Sequence, residues 1–163
     1  MNIHLISFYI ILVGIIYSTV WKSDMNNLNP KCFVGPMSRT VVDACIEFSI
    51  ESGTPLGLIP SRRQIDYRTG YVNGWTTDKF AKYVRERTDN ILIERDHGGP
   101  NQGDQKDMGT FSLSFDSFYF DMIHIDPFKK YKNIEDGAIY TIDVINSLES
   151  RKCLFEIGTE EAL

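Results

Sequence analysis

Five short apolar segments, separated by longer amphipathic stretches, constrain the fold of this chain more than any other feature of its sequence. They occupy residues 32–36, 55–60, 91–95, 121–126 and 153–158. Short runs of mostly apolar residues are typical of strands that are buried on both faces of a parallel sheet. Each interval is long enough for the crossover that parallel neighbours require. The sequence therefore predicts an α/β fold with about five parallel strands and intervening helices.

The intervals themselves carry helical signals. Residues 40–52 and 134–148 place apolar side chains at helical spacing, and the segment from Thr76 to about residue 88 begins with side chains that can cap a helix. Residues 111–120 are ambiguous, because they alternate as a strand does but stand where a helix is due. The pattern leaves that one segment undecided.

Polar residues cluster directly after the predicted strands. The clusters are Ser61-Arg62-Arg63-Gln64, Asp96-His97, Asp126 and Gly158-Thr159-Glu160-Glu161. The carboxyl ends of parallel strands lie at one edge of the sheet, and in α/β proteins that edge is where ligands bind. The sequence therefore predicts a binding or catalytic site built from residues that are far apart in the chain.

Composition narrows the class of ligand. Hydrophobic residues make up 42% and charged residues 24% of the chain, and the formal net charge is −5. This balance disfavours nucleic-acid binding, which needs a basic face, but it allows a small phosphorylated ligand. The three cysteines, Cys32, Cys45 and Cys153, form no CxxC pair and are odd in number. We therefore expect buried, reduced thiols and a cytoplasmic location.

The amino-terminal segment differs from the rest of the chain. Residues 5–21 are apolar and uncharged, close to the roughly twenty residues that a membrane span needs. They fit a membrane anchor, a buried helix or strand, or a mis-assigned translation start. We therefore divide the chain into residues 1–30, an apolar segment with a polar linker, and residues 31–163, the globular domain.

Four motifs in order carry a family resemblance: SRRQIDYRTGYVNGWTTDKF, ERDHGGP, FDMIHID and FEIGTE. From about residue 31 onward the chain resembles the tagatose-bisphosphate aldolase subunit family, in particular the subunit type called non-catalytic. The family has the class II aldolase-type (β/α)8 TIM barrel. Because only about five strands can be counted here, the resemblance implies a partial, carboxyl-terminally truncated barrel.

The resemblance implies a divalent metal, zinc above all, that polarises a ketose carbonyl. His97 is the predicted metal ligand, and Asp96 the predicted catalytic residue, which orients a hydroxyl or donates a proton. The alternative is that Asp96 caps the loop and His97 hydrogen-bonds the backbone. His124, inside IHID, is expected to be a structural residue beside the barrel wall.

Six further residues are predicted to contact a sugar or sugar phosphate: Arg62, Arg63, Gln64, Asp126, Thr159 and Glu160. A guanidinium group matches the geometry of phosphate oxygens. The alternative for the arginines is surface ion pairing with Asp66 or Asp96.

Two functions follow as expectations. The first is a carbohydrate-metabolism enzyme, a lyase of the class II aldolase type or a sugar epimerase, that acts on a phosphorylated or activated sugar. The second is a non-catalytic or scaffold subunit, or an inactive fragment. Its partner would be another copy of the chain or a catalytic aldolase subunit.

Overall fold

A computed structural model of the protein describes residues 29–158, and these residues form a five-stranded sheet in which all neighbouring strands are parallel. The strands are β1 (Phe33–Val34), β2 (Leu56–Leu58), β3 (Ile91–Gly98), β4 (Met122–Ile125) and β5 (Leu154–Ile157). Their order in the sheet equals their order in the chain. The α/β fold with five parallel strands is confirmed, and it corresponds to part of a (β/α)8 barrel.

Four helices connect these strands within the described residues. They are α1 (Arg39–Ser52), α2 (Thr77–Arg85), α3 (Thr110–Asp116) and α4 (Ile134–Leu148). The undecided segment 111–120 therefore contributes a helix, because the parallel pairing of β3 with β4 requires a crossover between them. Within residues 29–158, no helix combines the length and apolarity that crossing a membrane requires. The predicted anchor at residues 5–21 lies outside the described residues.

Local side-chain contacts explain where the two longest helices begin. Ser38 accepts a hydrogen bond from the Val41 backbone N–H, and Asn133 accepts one from the Asp136 N–H. Helix α1 ends at Gly53, whose φ of 66° lies in the left-handed region that glycine adopts without a steric penalty. These groups define where α1 begins and ends and where α4 begins.

The two faces of the sheet differ in composition. Leu58, Ile93 and Ile123 are fully buried and belong to the core that the helices cover. Glu94 alternates with Ile93, so it lies on the opposite face, which is the interior side in a (β/α)8 barrel. The register places His124 beside Glu156 on that same interior side. The helix-covered face is thus apolar over most of its area, whereas the interior face carries ionisable groups.

Candidate functional site

The carboxyl end of β3 contains a bulge at the predicted site. Arg95 pairs with Ile123 and Gly98 with Ile125, so three steps along β3 match two steps along β4. His97 has a φ of 42°, which is uncommon for a residue with a side chain and is typically retained at functional positions. Strand β3 is therefore longer than predicted, and its irregular end sets the directions of the side chains at positions 96 and 97.

The ring of His97 lies between two carboxylates. Its Nδ1 is 2.9 Å from Asp126 Oδ2, and its Nε2 is 3.4 Å from Asp96 Oδ1. An ionised carboxylate only accepts hydrogen bonds, so the short contact to Asp126 places the proton of a neutral His97 ring on Nδ1. Nε2 and Asp96 Oδ1, which are 3.4 Å apart, are close enough to ligate one cation together.

His124 completes a cluster with these two residues. Its ring centroid is 4.6 Å from that of His97, and its Nδ1 accepts the His97 backbone N–H at 3.4 Å. One ligand atom each from Asp96, His97 and His124 can be chosen so that all lie within 4.8 Å of one another. Two imidazoles and a carboxylate are a ligand set that zinc accepts, with a further position open. These residues therefore fit a divalent cation.

The expectation for His124 came from strand alternation, which places it beside the barrel wall. The residue is 7% exposed, yet its Nε2 has no hydrogen-bond partner among the described residues. This buried nitrogen is therefore not occupied by a hydrogen bond within the described residues and is available to a ligand. One signal in the sequence could have identified His124. It lies near the carboxyl end of the predicted strand that follows the strand of His97, and such ends meet at one edge of a parallel sheet.

A buried carboxyl group lies near the cluster. Glu94 is 2% exposed, and its Oε1 has no partner among the described residues. Desolvation, reinforced by a hydrogen bond and charge repulsion from Glu156, raises the pKa of Glu94 far above the usual range of a carboxyl group. Glu94 is therefore a neutral acid at pH 7 and can donate a hydrogen bond on the interior face.

Arg62 lies beside the site but is fully engaged within the chain. Its Nη1 and Nη2 each donate to Asp107 at 2.8 Å, and Nε and Nη2 donate to Asp66 at 3.4 and 3.1 Å. The remaining Nη1 proton goes to the Gly99 carbonyl at 3.2 Å. A guanidinium has five N–H groups, so all of them are used. Asp66 is one of the partners that the ion-pair alternative named, but the pair is buried rather than on the surface, and Asp107 is a further partner. Contact of Arg62 with a substrate stays a prediction.

The two residues after Arg62 differ in exposure. Arg63 is exposed and pairs with Asp104 at 3.2 Å, so its guanidinium is accessible from solvent. Gln64 is buried, accepts the Ser61 backbone N–H at 2.8 Å and donates to Met37 Sδ at 3.3 Å. Gln64 therefore fixes the turn after β2, and its predicted contact with substrate, like that of Arg63, is untested.

The remaining predicted residues divide into two groups. Asp126 is 5% exposed and joins the cluster, with Oδ2 on His97 and Oδ1 accepting the Phe128 backbone N–H at 3.1 Å. Thr159 and Glu160 lie outside the described residues. The structure thus brings Asp96, His97 and Asp126 together and places Arg62 against the loop that follows them.

Comparisons with known proteins support the fold. No family model and no curated protein matches the chain. Among solved structures, the chain is similar to the crystal structure of a probable tagatose 6 phosphate kinase from Sinorhizobium meliloti 1021, with a TM-score of 0.67 and 17% sequence identity. The match covers 81% of this chain and 39% of that one, so the chain spans about two fifths of its neighbour's length. At this identity the likeness establishes a shared α/β fold.

Proposed function

We propose that this chain is a carbohydrate-metabolism protein that binds a phosphorylated or activated sugar at the carboxyl ends of β3 and β4, through a divalent cation. The convergence of Asp96, His97 and His124, with ligand atoms within 4.8 Å, carries this proposal. The name of the structural neighbour, a probable tagatose 6 phosphate kinase, supports a sugar phosphate as the ligand class.

The residues present suit metal-assisted aldol-type chemistry. A bound zinc ion would polarise a carbonyl of the sugar as a Lewis acid. Asp126 holds the His97 ring through Nδ1 and so keeps Nε2 directed at Asp96. Glu94 retains its proton at neutral pH on the interior face. Asp96 is the carboxylate of the cluster, and its oxygen that does not ligate the cation would accept a hydrogen bond from a sugar hydroxyl and so orient it.

A second candidate function is a non-catalytic subunit that supports a catalytic partner. The observation that favours it is the state of Arg62, because a guanidinium with all five N–H groups engaged offers no donor to a phosphate. Phosphate binding would then depend on other groups, such as the exposed Arg63. Turnover by the full chain separates the two candidates.

Calorimetric titration of the full chain with zinc tests the proposal. We expect His97→Ala and His124→Ala to abolish binding at one site, whereas Asp104→Ala, an exposed acid on the neighbouring loop, leaves it unchanged. Tagatose 6-phosphate should bind the zinc-loaded chain and fail to bind His97→Ala. Equal zinc binding by wild type and both histidine variants would end the proposal. Ketose cleavage or epimerisation by the zinc-loaded chain identifies the enzyme, and binding without turnover identifies the non-catalytic subunit.

A further inference from the structure

Arg62 holds one side of the loop 99–109, which connects β3 to α3. It binds the backbone carbonyl of Gly99, two residues after His97, and both carboxylate oxygens of Asp107 near the other end of the loop. The loop also packs directly on the guanidinium, since a Cβ at Gly103 would lie 3.0 Å from Nη2. One buried side chain thus fixes the start, the middle and the end of the loop.

The same loop closes onto the backbone next to His97. Asp107 Oδ1 accepts the Gly109 N–H at 2.9 Å, and Gly109 packs so tightly on Gly99 that a Cβ there would lie 2.3 Å from the Gly99 carbonyl group. A Cβ at Gly99 would in turn lie 2.4 Å from the Asp126 carbonyl oxygen, so no side chain fits at that position. The backbone that follows His97 is therefore held from both sides.

The loop reaches the His97 ring through Gln102. Gln102 Nε2 donates to Asp126 Oδ2 at 3.2 Å, and the same oxygen lies 2.9 Å from His97 Nδ1. The carboxylate of Asp126 therefore accepts from the loop and from the ring together. Displacement of the loop would remove one of these two donors.

We propose that Arg62 is a positioning residue for His97: it anchors the loop 99–109 so that His97 keeps its left-handed backbone and its Nδ1–H···Asp126 hydrogen bond. A strained conformation persists only where neighbouring contacts over-determine it, and Arg62 supplies these contacts through Gly99 and Asp107. The inference rests on the proposed function, because the ring orientation matters for a metal bound through Nε2.

The role requires arginine and not merely a positive charge. Two bidentate carboxylate pairs and one carbonyl use all five donors of the planar guanidinium, whereas an ammonium group has three donors and no planar fork. Arg62→Lys therefore keeps the charge and loses the geometry. Arg68→Lys is the matched control, because Arg68 is an exposed arginine whose Nη1 donates to the Gln105 side chain on the same loop.

Two measurements on the full chain test the role. The first is the ring ¹⁵N signature of His97 in the metal-free protein, which reports whether Nδ1 carries the proton. The second is zinc affinity by calorimetry, which falls about 10–100-fold when an outer contact of a metal ligand is lost. We expect Arg62→Lys to give mixed His97 tautomers and this loss of affinity, with Arg68→Lys unchanged in both.

A second pair of variants keeps the test decisive if Arg62→Lys fails to fold. Asp107→Asn removes part of the anchor at a side chain that is one-third exposed, and Asp104→Asn is its control on the same loop. A folded Arg62→Lys or Asp107→Asn chain with wild-type ring signals and zinc affinity would overturn the inference. A wild-type chain that binds no zinc would overturn the proposed function instead, while the ring signals of the metal-free protein still decide the role of Arg62.

Discussion

Arg95 donates from Nε to Asp116 Oδ2 at 2.7 Å, and neither side chain has any exposed surface. Arg95 lies on β3 and Asp116 ends α3, so this ion pair ties the strand that carries the site to the helix that follows it. Thr77 donates to the other Asp116 oxygen at 2.7 Å, and Arg95 Nη1 donates to the Pro60 carbonyl at 2.7 Å. The pair is therefore the centre of a buried polar network within an apolar core.

We expect Asp116→Asn to lower the free energy of unfolding by about 3–5 kcal/mol, because it leaves the Arg95 charge buried without a counter-charge. Arg95→Met combined with Asp116→Leu should cost less than Asp116→Asn alone. Urea unfolding measures both. The exposed pair Lys82–Glu86 is the control, and Glu86→Gln should cost under about 1 kcal/mol. A similarly small cost for Asp116→Asn would contradict this reading of the network.

His97→Gly should be more stable than His97→Ala by about 1 kcal/mol, because glycine adopts the φ of 42° without the penalty that a Cβ incurs. Both variants lose the ring, so the comparison isolates backbone strain. At His124, which lies in strand β4, we expect the reverse order. Urea denaturation of the four variants measures this, and alanine more stable than glycine at both positions would show that His97 carries no strain.

Glu94→Gln should make the protein more resistant to alkaline pH. The pKa of Glu94 is raised in the folded state to about 9, mainly by desolvation, from a reference of 4.5. The folded state therefore holds the Glu94 proton more tightly than the unfolded state does. The resulting contribution to the free energy of unfolding is fully present below about pH 4.5 and is lost as pH rises towards 9. The Tm of Glu94→Gln minus that of wild type should therefore increase between pH 5 and pH 9. Glu47→Gln, on the exposed side of α1, is the control, and a pH-independent difference at Glu94 would refute the raised pKa.

Thiol labelling should distinguish the three cysteines. Cys32 is exposed, in contrast to the expectation of buried thiols, whereas Cys45 and Cys153 are buried. Burial raises the pKa of Cys45 and raises that of Cys153 to about 11, which suppresses the reactive thiolate. A thiol reagent at pH 8 should label Cys32 rapidly in the native chain, and Cys32→Ser should remove this phase. Rapid labelling of Cys32→Ser under native conditions would mean that the core opens readily.

The positions of the strands could be predicted from the sequence, because a strand that is buried on both faces is apolar at consecutive residues. Each predicted apolar segment coincides with one observed strand, although β3 continues three residues beyond its predicted end, to Gly98. Residues 111–120 could not be assigned locally, since their alternation fits a strand as well as one face of a helix. Long-range pairing of β3 with β4 decides that segment.

The sequence also placed Asp96, His97 and Asp126 at one edge, because consecutive parallel strands end there whatever their exact register. It offered Asp66 as a partner of Arg62 but could not identify Asp107, which stands 45 residues later in the chain and meets Arg62 only when the loop folds back. Nor could it show the bulge that turns His97 towards His124. Periodicity determines which residues are buried and where strands end, but the direction of a side chain and the partner of a charge depend on contacts between distant segments, which only the tertiary structure decides.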